Sequence, residues 1–143
     1  MPDRYRVEKW NQVHAPNGAM LRLEMERSGY RVFQWSDNPG QFYGLHKHGE
    51  NQSHWIISGK LEISVERVGT FLLEAGDRDF MPAETYHSAR VIGDEAVLYL
   101  VGELTPAKKT RGRPKKSRLG VEKAKSSEDE IPDEIKNLIG RFF

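Results

Sequence analysis

The histidines of this 143-residue chain are spaced as a metal site needs them. His46 and His48 are separated by one residue, and residues i and i+2 of a strand face the same side, so their two imidazoles can point together. His87, much later in the chain, can add a third imidazole from another strand. Cysteine is absent, which excludes disulfides, thiolate catalysis and cysteine-held zinc or iron–sulfur clusters. Any metal must therefore be held by histidine, carboxylate or amide.

Short strands must position these side chains. Apolar residues alternate with polar ones between turn formers such as the run from Ser36 to Gly40, and this pattern favours an antiparallel barrel or sandwich whose interior can hold one ligand. We predict no helix before residue 130. The predicted strands are residues 20–25, 30–35, 44–48, 54–58, 61–67, 70–73, 80–82, 87–91 and 96–101.

Two segments resemble the paired motifs of the cupin family. The first is Gly40-x5-His46-x-His48-x3-Gln52-x6-Gly59, and the second is Gly76-x5-Pro82-x-Glu84-x2-His87. The chain departs from the family at three positions, with Gln52 for glutamate, Glu84 for glycine and Val91 for asparagine. The resemblance implies an all-β double-stranded β-helix, a jelly-roll barrel over residues 20–104. It also implies that His46, His48 and His87 are metal ligands and that Gln52 occupies the place of the acidic ligand.

The amide at Gln52 changes the chemistry that such a site would have. A neutral donor set leaves a divalent ion its full charge, which favours an anionic small-molecule ligand or activated oxygen. Nitrogen-rich sets suit a divalent transition metal, with Fe(II) favoured and Zn, Ni, Mn or Cu as the other options. His54 shares the strand face of Gln52, so it could replace Gln52 as a ligand, orient a ligand, or act as the catalytic acid or base.

The charge of the chain is unevenly distributed. Residues 1–104 carry a net charge of −4, residues 105–127 carry +8 and residues 128–143 carry −3. A basic run with few apolar residues resists compaction. We therefore expect an N-terminal segment (1–19), the barrel (20–104), a disordered basic tail (105–127) and a short amphipathic helix (128–143) whose apolar residues recur at helical spacing.

The basic tail contains a motif that resembles the AT-hook, a minor-groove binder of A·T-rich DNA. Its Arg-Gly-Arg-Pro core suits a narrow groove, since arginine enters the negative potential and glycine allows close approach of the backbone. The expected DNA-binding residues are Lys108, Lys109, Arg111, Gly112, Arg113, Pro114, Lys115 and Lys116.

Two functions are compatible with these features. The first is a metal-binding cupin, such as a metal-dependent dioxygenase, with His54 as a catalytic residue. The alternative is a non-catalytic cupin that senses a ligand or metal and binds A·T-rich DNA through its tail. We expect a homodimer joined by the N-terminal segment. No apolar run approaches the roughly 18–20 residues of a membrane span, so we expect a cytoplasmic protein, at the nucleoid or in a nucleus if it binds DNA.

Overall fold

A computed structural model describes residues 4–105 of the chain. The predictions made for the basic tail, its AT-hook-like motif and the terminal helix fall on residues outside this range. The helix found within residues 4–105 lacks the length and apolar character that a membrane crossing requires.

Strands dominate the described residues. In chain order the elements are β1 (Arg6–Glu8), α1 (Gly18–Arg27), β2 (Arg31–Asp37), β3 (Phe42–His46), β4 (Asn51–Ser58), β5 (Lys60–Val65), β6 (Gly69–Leu73), β7 (Arg78–Phe80), β8 (His87–Ile92) and β9 (Val97–Leu104).

The strands form two antiparallel sheets. The five-stranded sheet has the order β1-β7-β4-β9-β2, and the four-stranded sheet has the order β3-β8-β5-β6. Most neighbours in each sheet are distant in sequence, as in a jelly roll, where the chain crosses repeatedly between the sheets. The predicted all-β double-stranded β-helix is confirmed.

The hydrophobic core lies between the two sheets. Inward residues alternate along the central strands, for example Leu61, Ile63 and Val65 on β5, each of which is buried. Ile56 on β4 and Tyr99 on β9 supply the facing side. This packing fixes both sheets and leaves one end of the barrel to carry the histidines.

The strand predicted for residues 20–25 is wrong, because these residues belong to α1. The side chain of Asn17 caps the helix by accepting a hydrogen bond from the Met20 backbone N–H at 3.0 Å. Leu21 and Met25 are buried against the outer face of the five-stranded sheet, whereas Leu23 between them is 41% exposed. Spacing of four residues is helical, so the apparent alternation hid an amphipathic helix.

The N-terminal segment packs on its own barrel. Strand β1 pairs with β7, and Tyr5 is buried in the core against Phe71. Trp10 covers Gly76 so closely that a Cβ atom there would lie 2.2 Å from the indole. The described part of this segment therefore adds a strand to the barrel of its own subunit and covers part of the surface of that barrel.

Candidate metal centre

Three histidines meet at one end of the barrel. His46 ends β3 and His87 begins β8, and the two residues are direct partners in the sheet register. His48 follows just beyond the end of β3, yet its ring centroid lies 4.8 Å from that of His46 and 5.1 Å from that of His87. One nitrogen from each ring falls within a set whose members all lie within 4.8 Å of one another. The structure thus brings together the three histidines that the sequence singled out.

The main chain orients two of these rings. His46 Nδ1 lies 2.5 Å from the carbonyl oxygen of Gly44, and His87 Nδ1 lies 2.8 Å from that of Thr85. Since a carbonyl only accepts, each Nδ1 must carry the proton and each Nε2 must hold the lone pair. Both Nε2 atoms are buried, and neither has a hydrogen-bond partner within residues 4–105. This is the arrangement of metal-binding imidazoles, which donate their other N–H to a carbonyl or carboxylate.

Burial favours the neutral form of the His46 and His87 imidazoles. It lowers the pKa of His87 to about 2, with smaller contributions of the same sign from the neighbouring histidines. Burial also lowers the pKa of His46 below its ordinary value of 6.5. A neutral ring is the form that binds a metal, so the fold prepares this state before any ion arrives.

The loop that carries His48 is joined to the loop before His87. The Glu84 backbone N–H donates to the His48 carbonyl at 2.7 Å, and the Glu84 carboxylate forms an ion pair with Lys47 at 2.7 Å. Glu84 has φ of 67°, in the left-handed region. The glycine that the cupin motif carries at this position is therefore suited to the turn, and glutamate occupies it under strain.

Gln52 lies on β4, buried and directly opposite Glu103 of β9. Its amide Nε2 donates to Glu103 Oε2 at 3.5 Å, while Glu103 Oε1 accepts from an Arg31 guanidinium nitrogen at 2.9 Å. The Glu103 side chain is 3% exposed and that of Arg31 is 69% exposed. A buried carboxylate thus lies next to the residue that replaces the family's acidic ligand.

His54 lies deeper in the barrel and is fully buried. Its Nδ1 is 3.0 and 3.1 Å from the two carboxylate oxygens of Asp79, and its backbone N–H donates to Asp79 Oδ1 at 2.7 Å. The Tyr5 hydroxyl donates to the other oxygen of Asp79 at 2.9 Å. Among the histidines and carboxylates of residues 4–105, the cluster able to hold an ion comprises His46, His48 and His87, and His54 lies outside it.

Two residues that contact predicted site residues were not found from the sequence. Glu103 was missed because the last strand was predicted to end at residue 101, although it shares strand parity with the inward Val101. Asp79 was missed because the strand was predicted at residues 80–82 rather than Arg78–Phe80. A charged residue at an inward strand position was the available signal in both cases.

Comparison with known proteins places this geometry in context. A family model described as mannose-6-phosphate isomerase C-terminal matches residues 2–101. A search of curated proteins found no significant match.

Solved structures give matches as well. The DMSP lyase DddQ from Ruegeria pomeroyi DSS-3 has 22% identity and a TM-score of 0.50, over 57% of this chain and 41% of that chain. An uncharacterised conserved protein with a double-stranded β-helix domain from Klebsiella pneumoniae subsp. pneumoniae MGH 78578 has 26% identity and a TM-score of 0.47, over 51% of this chain and 61% of that chain. A predicted oxalate decarboxylase from Thermotoga maritima has 25% identity and a TM-score of 0.49, over 58% and 73%. The first two matches span less than two thirds of those proteins, and the lyase comparison shows a shared fold.

Proposed function

The chain belongs to the mannose-6-phosphate isomerase C-terminal family of cupin-type domains, and from this premise we propose that it is a metal-dependent cupin acting on a small molecule at the mouth of its barrel. The observation that carries the proposal is the orientation of His46 and His87. Each Nδ1–H donates to a main-chain carbonyl, each Nε2 is buried, and one ring nitrogen of each lies within 4.8 Å of the other's and of a ring nitrogen of His48.

The proposed ligands are His46, His48 and His87, with the Gln52 amide oxygen as the fourth donor. Fe(II) is the favoured metal, and Zn, Ni, Mn and Cu are the other candidates for a set rich in imidazole. When bound, such an ion supplies a Lewis acid that polarises an oxygen atom of the substrate. Because the four donors are neutral, an anionic small molecule is the favoured substrate class. The reaction that we propose first is of the dioxygenase type, with O2 as the oxidant and both of its atoms transferred to the substrate.

His54 is the proposed acid or base. Asp79 contacts its Nδ1, which fixes the plane of the imidazole. Tyr5 in turn donates to Asp79, so the carboxylate is held by two side chains of the barrel interior. If His54 has this role, His54→Gln should lower turnover more than it lowers metal affinity.

Metal content and chelation test the proposal. Protein purified without added metal should contain one equivalent of a transition metal, and removing that metal should lower the melting temperature. Metal at about a hundred times its Kd stabilises the folded state by about 2.7 kcal/mol. His46→Ala should abolish the response to chelator.

His14→Ala is the matched control, since His14 is exposed and its ring contacts the Ala15 carbonyl far from the triad in sequence. It should respond to chelator as the wild type does. Absence of stoichiometric metal, or equal chelator shifts in the wild type and His46→Ala, would overturn the proposed centre.

A sensor function is the second candidate. It is supported by the contrast between the −4 charge of residues 1–104 and the +8 charge of residues 105–127, which include Arg111-Gly112-Arg113-Pro114. Such a protein would bind A·T-rich DNA through the tail and use the barrel to report a ligand or metal. Metal binding without turnover of any small anion would favour this candidate.

We also propose a homodimer in the cytoplasm. Exposed apolar residues on the four-stranded sheet support association, with Phe42 53% exposed and Leu72 41% exposed. Light scattering should return about twice the 16.4 kDa mass of one chain. A monomer at micromolar concentration would contradict the dimer.

A further inference from the structure

A row of three polar side chains crosses the five-stranded sheet through Gln52, which lies at the start of β4 and follows His48 by four residues in the chain. Glu103 of β9 is the register partner of Gln52 on β4 and of Arg31 on β2. One carboxylate oxygen of Glu103 contacts the Gln52 amide and the other contacts the Arg31 guanidinium. Glu103 is therefore held from both sides in one plane of the barrel.

The chemistry of this row fixes the orientation of Gln52. A carboxylate has no proton to donate, so the amide must turn its NH2 group toward Glu103. The acceptor end of the amide, which is the only end that can bind a cation, is then turned away from Glu103. An isolated Gln52 could present either end, because the two ends have nearly the same shape.

Burial makes the charge of Glu103 effective. The carboxylate is 3% exposed, so water screens it poorly, whereas the Arg31 side chain that pairs with it is 69% exposed. A buried negative charge acts on a cation more strongly than a hydrated guanidinium at the same distance does.

We propose that Glu103 is a positioning residue of the metal centre. It orients the amide oxygen of Gln52 toward the ion and supplies, from the neighbouring strand, the negative charge that glutamine lacks. This inference rests on the proposed metal-binding function. It also explains how the chain retains a cation site after glutamate is replaced by an amide.

The test measures Co²⁺ binding to the full chain by calorimetry, together with the visible spectrum of the bound ion, which reports its ligands. Glu103→Gln should weaken Co²⁺ binding by about 10–100-fold, the usual effect of losing a group that supports a ligand. Glu103→Asp keeps the charge and should lose less. Exchanging the two groups in Gln52→Glu/Glu103→Gln should restore affinity and alter the spectrum, because a carboxylate replaces the amide.

Arg31→Gln is the control for a purely structural role. It breaks the same ion pair but removes a positive charge, so Co²⁺ should bind at least as tightly as in the wild type. Equal losses in Arg31→Gln and Glu103→Gln would overturn the inference, as would failure of the exchanged pair to recover binding. Thermal melting of the metal-free variants shows whether each one is folded. If Glu103→Gln does not fold, the Co²⁺ affinities of Glu103→Asp and of the exchanged pair test the inference instead.

The two proposals fail differently. A wild type that binds no Co²⁺ overturns the metal centre and, with it, the role of Glu103. A wild type that binds Co²⁺ while Glu103→Gln binds it equally well overturns the role of Glu103 alone.

Discussion

Single carbonyl groups decide which atoms of this site are available for chemistry. The Gly44 and Thr85 carbonyls each accept a hydrogen bond from the Nδ1–H of a histidine two residues later, so the tautomer of each imidazole is set by its own stretch of chain. Neither contact depends on a distant side chain. The donors are therefore prepared wherever the local strand and turn are formed, and a metal need not reorganise these two rings.

Glu84 is a residue at which one backbone dihedral angle affects the stability of the fold. Its φ of 67° places a Cβ atom in the left-handed region, at a cost of about 1–2 kcal/mol for residues other than glycine. We expect Glu84→Gly to be more stable than Glu84→Ala by about 1 kcal/mol in urea unfolding. Both substitutions remove the ion pair with Lys47, so their difference isolates the dihedral. Equal stabilities would mean that residue 84 is not strained.

Tyr99 should make the free energy of unfolding depend on pH in the alkaline range. Its hydroxyl donates to Asp37 at 2.8 Å, and burial, followed by the charge of Asp37, raises its pKa well above the ordinary value of 10.0. The unfolded chain ionises at that ordinary value and the folded chain does not. This contribution is thus fully present below about pH 10 and is lost as the pH rises further.

Tyr99→Phe removes this ionisation from the unfolded state. Between about pH 10 and pH 11, we expect the free energy of unfolding to fall by about 1 kcal/mol more in the wild type than in the variant. Urea unfolding at several pH values measures both slopes. Parallel slopes would show that Tyr99 ionises in the folded protein.

At the scale of elements, α1 shows where sequence periodicity is ambiguous. Leu21, Leu23 and Met25 satisfy the period of a strand, while Leu21 and Met25 alone satisfy that of a helix. The outer face of the five-stranded sheet resolves the choice, because Trp55 and Leu100 offer an apolar surface to one stripe of the helix. That surface exists only after the sheet has folded, so a local pattern could not reveal it.

The sequence did contain one signal for the start of α1, which is the capping residue Asn17. Asn17→Ala should lower the free energy of unfolding by about 1 kcal/mol, because the Met20 N–H loses its acceptor. Asn17→Asp keeps an acceptor at the same position and should retain most of the stability. Chemical unfolding monitored by far-ultraviolet circular dichroism compares the variants. An equal loss in both would show that the cap bond contributes nothing.

The parts of the candidate site that depend on local sequence spacing could be predicted, and the parts that depend on strand register could not. The proximity of His46 and His48 follows from their positions, and His87 came from the spacing of a known motif. Glu103 and Asp79 could not be found in this way, because their roles depend on register between strands far apart in the chain. Register is set by the packing of the whole sheet, and a strand end misplaced by two or three residues hides it.

At the scale of the whole molecule, charge separates the acidic first 104 residues from the basic stretch that follows. We expect Arg113→Ala to weaken binding to A·T-rich duplex DNA and to reduce the salt slope by about one, since one positive charge that displaces counterions from the DNA is lost. Arg67→Ala, on the exposed turn between β5 and β6, is the control and should leave both unchanged. Fluorescence anisotropy with A·T-rich and G·C-rich duplexes measures the affinity and its salt slope. Equal affinity for the two duplexes would show that the motif binds DNA through nonspecific charge alone.

If an ion binds the three histidines, their placement implies an order of release. His46 and His87 belong to one ladder of the four-stranded sheet, whereas His48 stands past the end of β3 on a loop fastened by the Glu84 N–H. We expect the loop that carries His48 to open more readily than the sheet that carries the other two donors, since loops open locally at lower free energy than paired strands. The residence time of the ion should therefore follow the opening rate of residues 47–50 rather than the unfolding rate of the barrel. Substitutions in this loop should change the exchange rate of the ion while the free energy of unfolding of the barrel stays constant.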